Sequence, residues 1–276
     1  MAILEQKIIR LKELTIDWGY SKRNIEPSIN EKKKVLPYAY PCDNYINVIM
    51  SNSFVRKSLH LVVDRYYKNR IDKIRLNSQK VTEMNYPYLF LIVQECYQSL
   101  NVTNYPEIMV TNQLKGINAL SVGTDKSPVI LLSKKSVACL TDDELKFMIG
   151  HELGHILQKN MICHIVKGFL DNLNNSSEVL GPIISDMIDV PLNLWHRCAE
   201  YTADRAGLLC CKDINVIKRL FYRINKNYMK KTGMLMEYYE LSNIHPVYAK
   251  RISELEIYYN HFVAAEIKKN INRGFL

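Results

Sequence analysis

No CxxC pair occurs anywhere in this chain, and its seven cysteines are odd in number, with Cys210 and Cys211 adjacent. That speaks against both a cysteine zinc cluster and a disulfide framework, and it leaves free thiols of a reducing compartment as the expectation. No run of about 18 apolar residues is present, so no spanning helix is expected. The stretch Val179 to Trp195 is the most apolar one after residue 155, yet Asp186, Asp189 and two prolines interrupt it. The opening MAILEQKIIRLKEL carries charges throughout and lacks the apolar core and small-residue cleavage site of a signal peptide. Basic residues are in excess, with a net charge of +9, but only Lys32-Lys33-Lys34 forms a run of three. Scattered charge of this kind reads as a solvated face and not as a nucleic-acid surface. Repeats and low-complexity segments are absent as well. A soluble, cytoplasmic protein without nucleic-acid partners is expected, with peripheral membrane contact left open and the oligomeric state unread.

What is present is an ordinary globular balance, 47% hydrophobic and 24% charged over 276 residues, enough to bury a core without staples. Ile3, Ile8, Leu11 and Leu14 place an apolar stripe on a first helix, and residues 21–42 follow as a proline-bearing arm. Residues 1–42 are therefore read as an N-terminal helix and arm, and 43–276 as the main domain. Within that domain, 43–105 reads as helical, with one long helical stretch from about Asp43 to Leu76 and another from Tyr86-Pro87 to about Leu100. From 106 the periodicity changes. Glu107–Val110, Gly116–Val122 and Pro128–Ser133 have the β-branched and aliphatic content of three short strands. Helices then follow over Thr141 to about Lys159, Leu192–Cys211, Ile214–Tyr228 and Val247 to about Lys269.

The stretch Gly150-His151-Glu152-Leu153-Gly154-His155 reads HExxH. Positions four apart share a helix face, so His151 and His155 can direct two imidazoles at one metal ion, with Glu152 beside them to handle a proton on a metal-held water. The helix has a clear start: Thr141 and Glu144 form a capping-box pair, and Asp142 and Asp143 suit the positive end of the dipole. Gly154 costs about 1 kcal/mol against alanine inside a helix; a close-packed backbone neighbour would explain it. A zinc hydrolase needs a third ligand and an open fourth position. Glu200 and Asp204 are one turn apart on a later helix. Glu200 is the candidate ligand and Asp204 the candidate partner of a zinc-bound histidine, although Arg197 or Arg205 could instead claim both on the surface.

The segments TDDELKFMIGHELGH and RCAEYTADRAGLL resemble the HtpX and CAAX-prenyl-protease family of gluzincin zinc metallopeptidases, in particular its soluble bacterial members. The resemblance extends through Tyr40-Pro41-Cys42-Asp43, Tyr86-Pro87, Gly116–Leu120 and His245-Pro246 with Arg251, roughly residues 40–260. It implies an α+β, mostly helical, zincin-like fold in which a short sheet packs on the HExxH helix. It also implies one zinc ion per chain, held by His151, His155 and Glu200, with Glu152 as general base and acid. Asp204 would support a ligand. His245 and Arg251 would stand near the site, stabilising the developing oxyanion or orienting the ligand carboxylates. Asn118, Ala119 and Leu120 would belong to a strand that binds an extended peptide by backbone hydrogen bonds. Residues 161–195 are too short and too interrupted for the paired membrane helices of other members.

The resulting expectation is a metalloendopeptidase acting on proteins or peptides. A catalytically silent or chaperone-like peptide-binding protein on the same fold is the rival, and the intact Glu152 speaks against it. His60, His164, His196 and His261 receive no role.

Overall fold

In the computed structural model of the chain, residues 36–41, 72–124, 127–158, 181–224 and 248–263 are described, without the side chains of 124, 181–195 and 262–263. The expectations for the N-terminal helix, most of the long stretch after Asp43 and His245 lie outside those residues.

A four-stranded sheet carries β1 (Ser78–Lys80), β2 (Glu107–Thr111), β3 (Ala119–Thr124) and β4 (Ser127–Ser133) in the order β1-β2-β4-β3. β2 and β4 run parallel, while β1 on β2 and β3 on β4 run antiparallel. β4 is one of the two inner strands, and its unbroken Val129-Ile130-Leu131-Leu132 is wholly buried, because both sheet faces are covered there. Period-two alternation sends Ile108, Val110, Ile130 and Leu132 into the main core and Met109, Val129 and Leu131 into a smaller cluster on the opposite face. Pro128 begins β4 where a missing N–H is tolerated.

Two sheet expectations are corrected. β1, a polar three-residue strand, was not foreseen: it has no hydrophobic alternation of its own and exists by pairing with β2. β3 begins at Ala119 and not at Gly116. Gly116 adopts φ +69°, and the backbone N–H and C=O of Asn118 are both engaged by the Ser136 hydroxyl, at 2.8 and 2.9 Å.

The helices are α1 (Pro87–Ser99), α2 (Lys134–Cys139), α3 (Asp142–Leu157), α4 (Gly181–Cys211), α5 (Ile214–Ile224) and α6 (Tyr248–Tyr258), the last continued by a π-helical turn over Tyr259–Val263. α2, also unforeseen, starts because the Ser133 hydroxyl accepts from Ser136 N–H. α4 begins eleven residues before the expected Leu192 and runs through Pro191. The α3 start is as read: Thr141 N–H donates to Glu144 Oε2 at 2.8 Å and Glu144 N–H to Thr141 Oγ1 at 3.4 Å. Arg223 of α5 also donates to that Glu144 oxygen.

α3 and α4 meet along a seam of small residues. A Cβ placed on Gly154 would lie 2.7 Å from Ala203 Cα and 3.0 Å from Ala206 Cβ. One placed on Gly150 would meet Cys210 Sγ at 2.7 Å, and one on Gly207 would meet Phe147. The helix-propensity cost of Gly154 therefore has its structural reason: the neighbouring backbone occupies the space.

Residues 36–41, expected as part of an extended arm, lie against α4. Tyr40 N–H donates to Thr202 Oγ1 at 2.9 Å, and Arg205 donates to Ala39 O at 3.1 Å with its guanidinium over the Tyr40 and Tyr258 rings. Cys96, Cys139, Cys210 and Cys211 are free thiols. Cys198 is disulfide-bonded, which corrects the expectation of free thiols throughout. No helix among the described residues is long and apolar enough to cross a membrane.

Candidate metal centre

The seam between α3 and α4 positions the chemistry. His151 and His155 stand one turn apart on α3, and Glu200 projects from α4, which the glycines and alanines bring close. His155 and Glu200 are 2% exposed; polar groups this deep need partners. Their donor atoms converge. His151 Nε2 and His155 Nε2 are 3.1 Å apart, His155 Nε2 is 3.4 Å from Glu200 Oε1, and His151 Nε2 is 3.7 Å from Glu200 Oε2. A tetrahedral ion with bonds of about 2.0–2.1 Å to nitrogen and oxygen has edges of roughly 3.3 Å between its ligand atoms. The three separations bracket that value, so the residues fit a small divalent ion of the zinc type. Among the described residues these three form the group able to hold a metal.

The tautomer of His151 supports the same reading. Its Nδ1 lies 3.0 Å from Asp204 Oδ1. An ionised carboxylate only accepts, so Nδ1 carries the hydrogen and Nε2 turns its lone pair toward His155 and Glu200. Burial by itself would push the His151 imidazole down; the Asp204 hydrogen bond and the Glu200 and Asp204 charges outweigh it and raise the pKa.

Asp204 is fully buried and held in turn by Arg251, whose Nε donates to Oδ2 at 2.7 Å and Nη2 to Oδ1 at 2.5 Å. Burial favours the neutral acid, but the charge and hydrogen bonds of Arg251, followed by those of His151, win and lower the Asp204 pKa. Arg251 Nη1 reaches to 3.4 Å from Glu200 Oε2, and the guanidinium lies over the Phe221 ring at 4.7 Å and the Tyr248 ring at 5.4 Å. Glu200 and Asp204 thus face the histidines and Arg251. Arg205, one of the surface partners considered from sequence, points instead to the backbone at Tyr38 and Ala39.

Glu152 is buried, and its Oε2 accepts from the backbone N–H of Ser121 on β3 at 2.7 Å. Among the described residues β3 pairs on one side only, with β4. Ser121 turns its N–H away from that pairing, and alternation gives Ala119 the same outward aspect. Of the three residues expected to receive a peptide, Asn118 has its backbone engaged by Ser136 and also by Ser133 N–H. Leu120 pairs with Leu131, and its side chain is 40% exposed. Ala119 keeps the position at the free edge.

Two features escaped sequence reasoning. The Ser121 amide carries no residue-type signal. His196 did carry one, four residues before Glu200 on the same helix: its side chain is 1% exposed and its Nδ1 is 3.9 Å from Glu200 Oε1.

The family model described as Peptidase family M48 matches residues 84–258. Among curated proteins, the chain is 28% identical over 99 residues to the plastoglobule-localized metallopeptidase 48, chloroplastic, of Arabidopsis thaliana. That match covers 36% of this chain and 29% of the relative, so the chain spans less than a third of its length. No solved structure matches the chain significantly.

Proposed function

The chain belongs to peptidase family M48, and from that premise we propose that it is a zinc-dependent endopeptidase hydrolysing peptide bonds in proteins or peptides. The observation that carries this reading is the convergence of His151, His155 and Glu200 donor atoms beside a buried Glu152. His151, His155 and Glu200 would hold one zinc ion. When bound, the ion supplies Lewis acidity, bringing the pKa of a water to about 7 and polarising a carbonyl.

The remaining work falls to the protein. Glu152 takes a proton from the attacking water and returns it to the leaving amine. The Ser121 N–H fixes one oxygen of that carboxylate and leaves the other, Oε1, for the water. Asp204 holds His151 in the ligating tautomer, and Arg251 orients Asp204 and Glu200. Of the two roles expected for Arg251, its fork onto Asp204 favours the orienting one. A substrate in extended form would add along β3 at Ala119, where backbone pairing demands little of its side chains. Placement among HtpX and CAAX-prenyl-protease-type members draws on the HExxH helix facing the ExxxD stretch of α4. A cytoplasmic location rests on the four free thiols among the described residues, and the Cys198 disulfide counts against it.

The test is Glu152→Gln in the full chain, assayed on an unstructured protein substrate with metal content measured in parallel. The variant should keep about one zinc per chain and lose hydrolysis. Retained hydrolysis would remove Glu152 as the base, and a wild-type protein without zinc would remove the reading itself.

A further inference from the structure

We propose that His196 is a positioning residue of the metal site, holding Glu200 from the side opposite Arg251. The inference rests on the metal-site reading above and adds to it a residue that neither the HExxH nor the ExxxD pattern contains.

His196 and Glu200 are four apart on α4 and so share a face, one turn above the other. Side chains on a helix lean toward its N-terminus, which tilts Glu200 back over the turn that bears His196. The result is a carboxylate bracketed on both oxygens. Oε2 has Arg251 Nη1 at 3.4 Å and His151 Nε2 at 3.7 Å. Oε1 has His155 Nε2 at 3.4 Å and His196 Nδ1 at 3.9 Å. Each oxygen therefore faces one histidine of the ligand set and one nitrogen from outside it.

The chemistry sets the direction of the interaction. The nitrogen facing a carboxylate must carry the hydrogen, so His196 presents Nδ1–H to Oε1. The 3.9 Å separation is longer than a hydrogen bond by roughly 1 Å. Such contacts in metal-free or substrate-free sites commonly tighten on loading. With Arg251 already locked by its fork onto Asp204, a second donor at Oε1 removes the remaining freedom of the carboxylate. Closed in this way, the contact holds the third ligand in place in the loaded site.

The experiment compares His196→Leu, which keeps bulk, with His196→Asn, whose amide places a donor close to that of Nδ1. Both are prepared as the full chain, and zinc affinity is measured by competition with a chromophoric chelator. The visible spectrum of the cobalt-loaded proteins is recorded alongside. His196→Leu should bind zinc about 10–100-fold more weakly, the usual effect of removing a partner of a metal ligand. Its cobalt bands should shift, and His196→Asn should restore most of both. Wild-type affinity in His196→Leu overturns the proposal, as does an Asn variant no better than Leu, which would make His196 a packing residue. A wild-type chain that binds neither zinc nor cobalt overturns the metal reading instead.

Discussion

Replacing Gly154 with alanine tests whether the seam between α3 and α4 sets the metal geometry. By helix propensity alone the change should stabilise α3 by about 1 kcal/mol. The structure opposes it. The added Cβ would lie 2.7 Å from Ala203 Cα, about 0.7 Å inside the 3.4 Å at which ordinary contact begins. The obstructing atom is backbone on a buried helix, and Ala206 Cβ closes a second direction at 3.0 Å. Overpacking of this kind costs about 1–3 kcal/mol. The net expectation is a zinc-free protein destabilised by up to about 2 kcal/mol, a fall in Tm of several degrees for a chain of this size. The larger consequence is in the site. Relief requires α3 and α4 to part by several tenths of an ångström, while metal–ligand distances tolerate about 0.2 Å. His155 follows Gly154 directly and Glu200 sits one turn before Asp204 on the other helix, so zinc affinity should fall further than stability does. Thermal denaturation with excess chelator and zinc competition with a chromophoric chelator measure the two separately. A variant with raised Tm and wild-type zinc affinity would refute the reasoning, since the seam would then be looser than its contacts show.

Two further outcomes are expected. Arg251→Met should destabilise the zinc-free protein by about 3–5 kcal/mol in urea denaturation, because the buried Asp204 loses its fork partner; combining it with Asp204→Asn should recover part of that loss. Zinc binding should release protons: the raised His151 pKa means that affinity is fully developed only above it and declines as pH falls through a range beginning above the ordinary value of about 6.5. Calorimetric titration in buffers of different ionisation enthalpy reads this, and an affinity independent of pH between about 5 and 8 would contradict it.

How much of this was legible in the sequence follows from how local each signal is. The α3 cap needed only Thr141 and Glu144, three residues apart, and both halves of the box are present. The pairing of His151 and His155 needed only helical spacing. Glu200 and Asp204 came from a second local spacing joined to a resemblance, and the structure brings them to the histidines. The failures lie where structure depends on a distant partner. β1 exists through β2, and the start of β3 is set by Ser136, eighteen residues after Asn118. The extension of α4 through Pro191 ran against the usual helix-breaking role of proline. The two roles offered for Arg251 could not be separated by spacing, because only the fold shows both oxygens of Asp204 meeting its guanidinium. His196 was passed over for the opposite reason: its spacing to Glu200 was plain, but a lone histidine on a helix is usually packing.

The charges enclosed by the seam bear directly on the proposed ion. Glu152, Glu200 and Asp204 are 8%, 2% and 0% exposed, and the cation enclosed with them among the described residues is Arg251, at 8%. Counted formally, three carboxylates against one guanidinium leave two negative charges in a region screened little by solvent. Burying such an excess is costly unless it is paired. The upward shift of His151 draws a proton toward the cluster. That response occupies an atom of the ligand set and so competes with metal. A divalent cation between His151, His155 and Glu200 would cancel both charges at once and leave the histidines neutral, as ligands must be. On the proposed reading, a doubly charged ion is what lets the apolar core around Ile149, Leu153 and Leu208 tolerate this polar cluster.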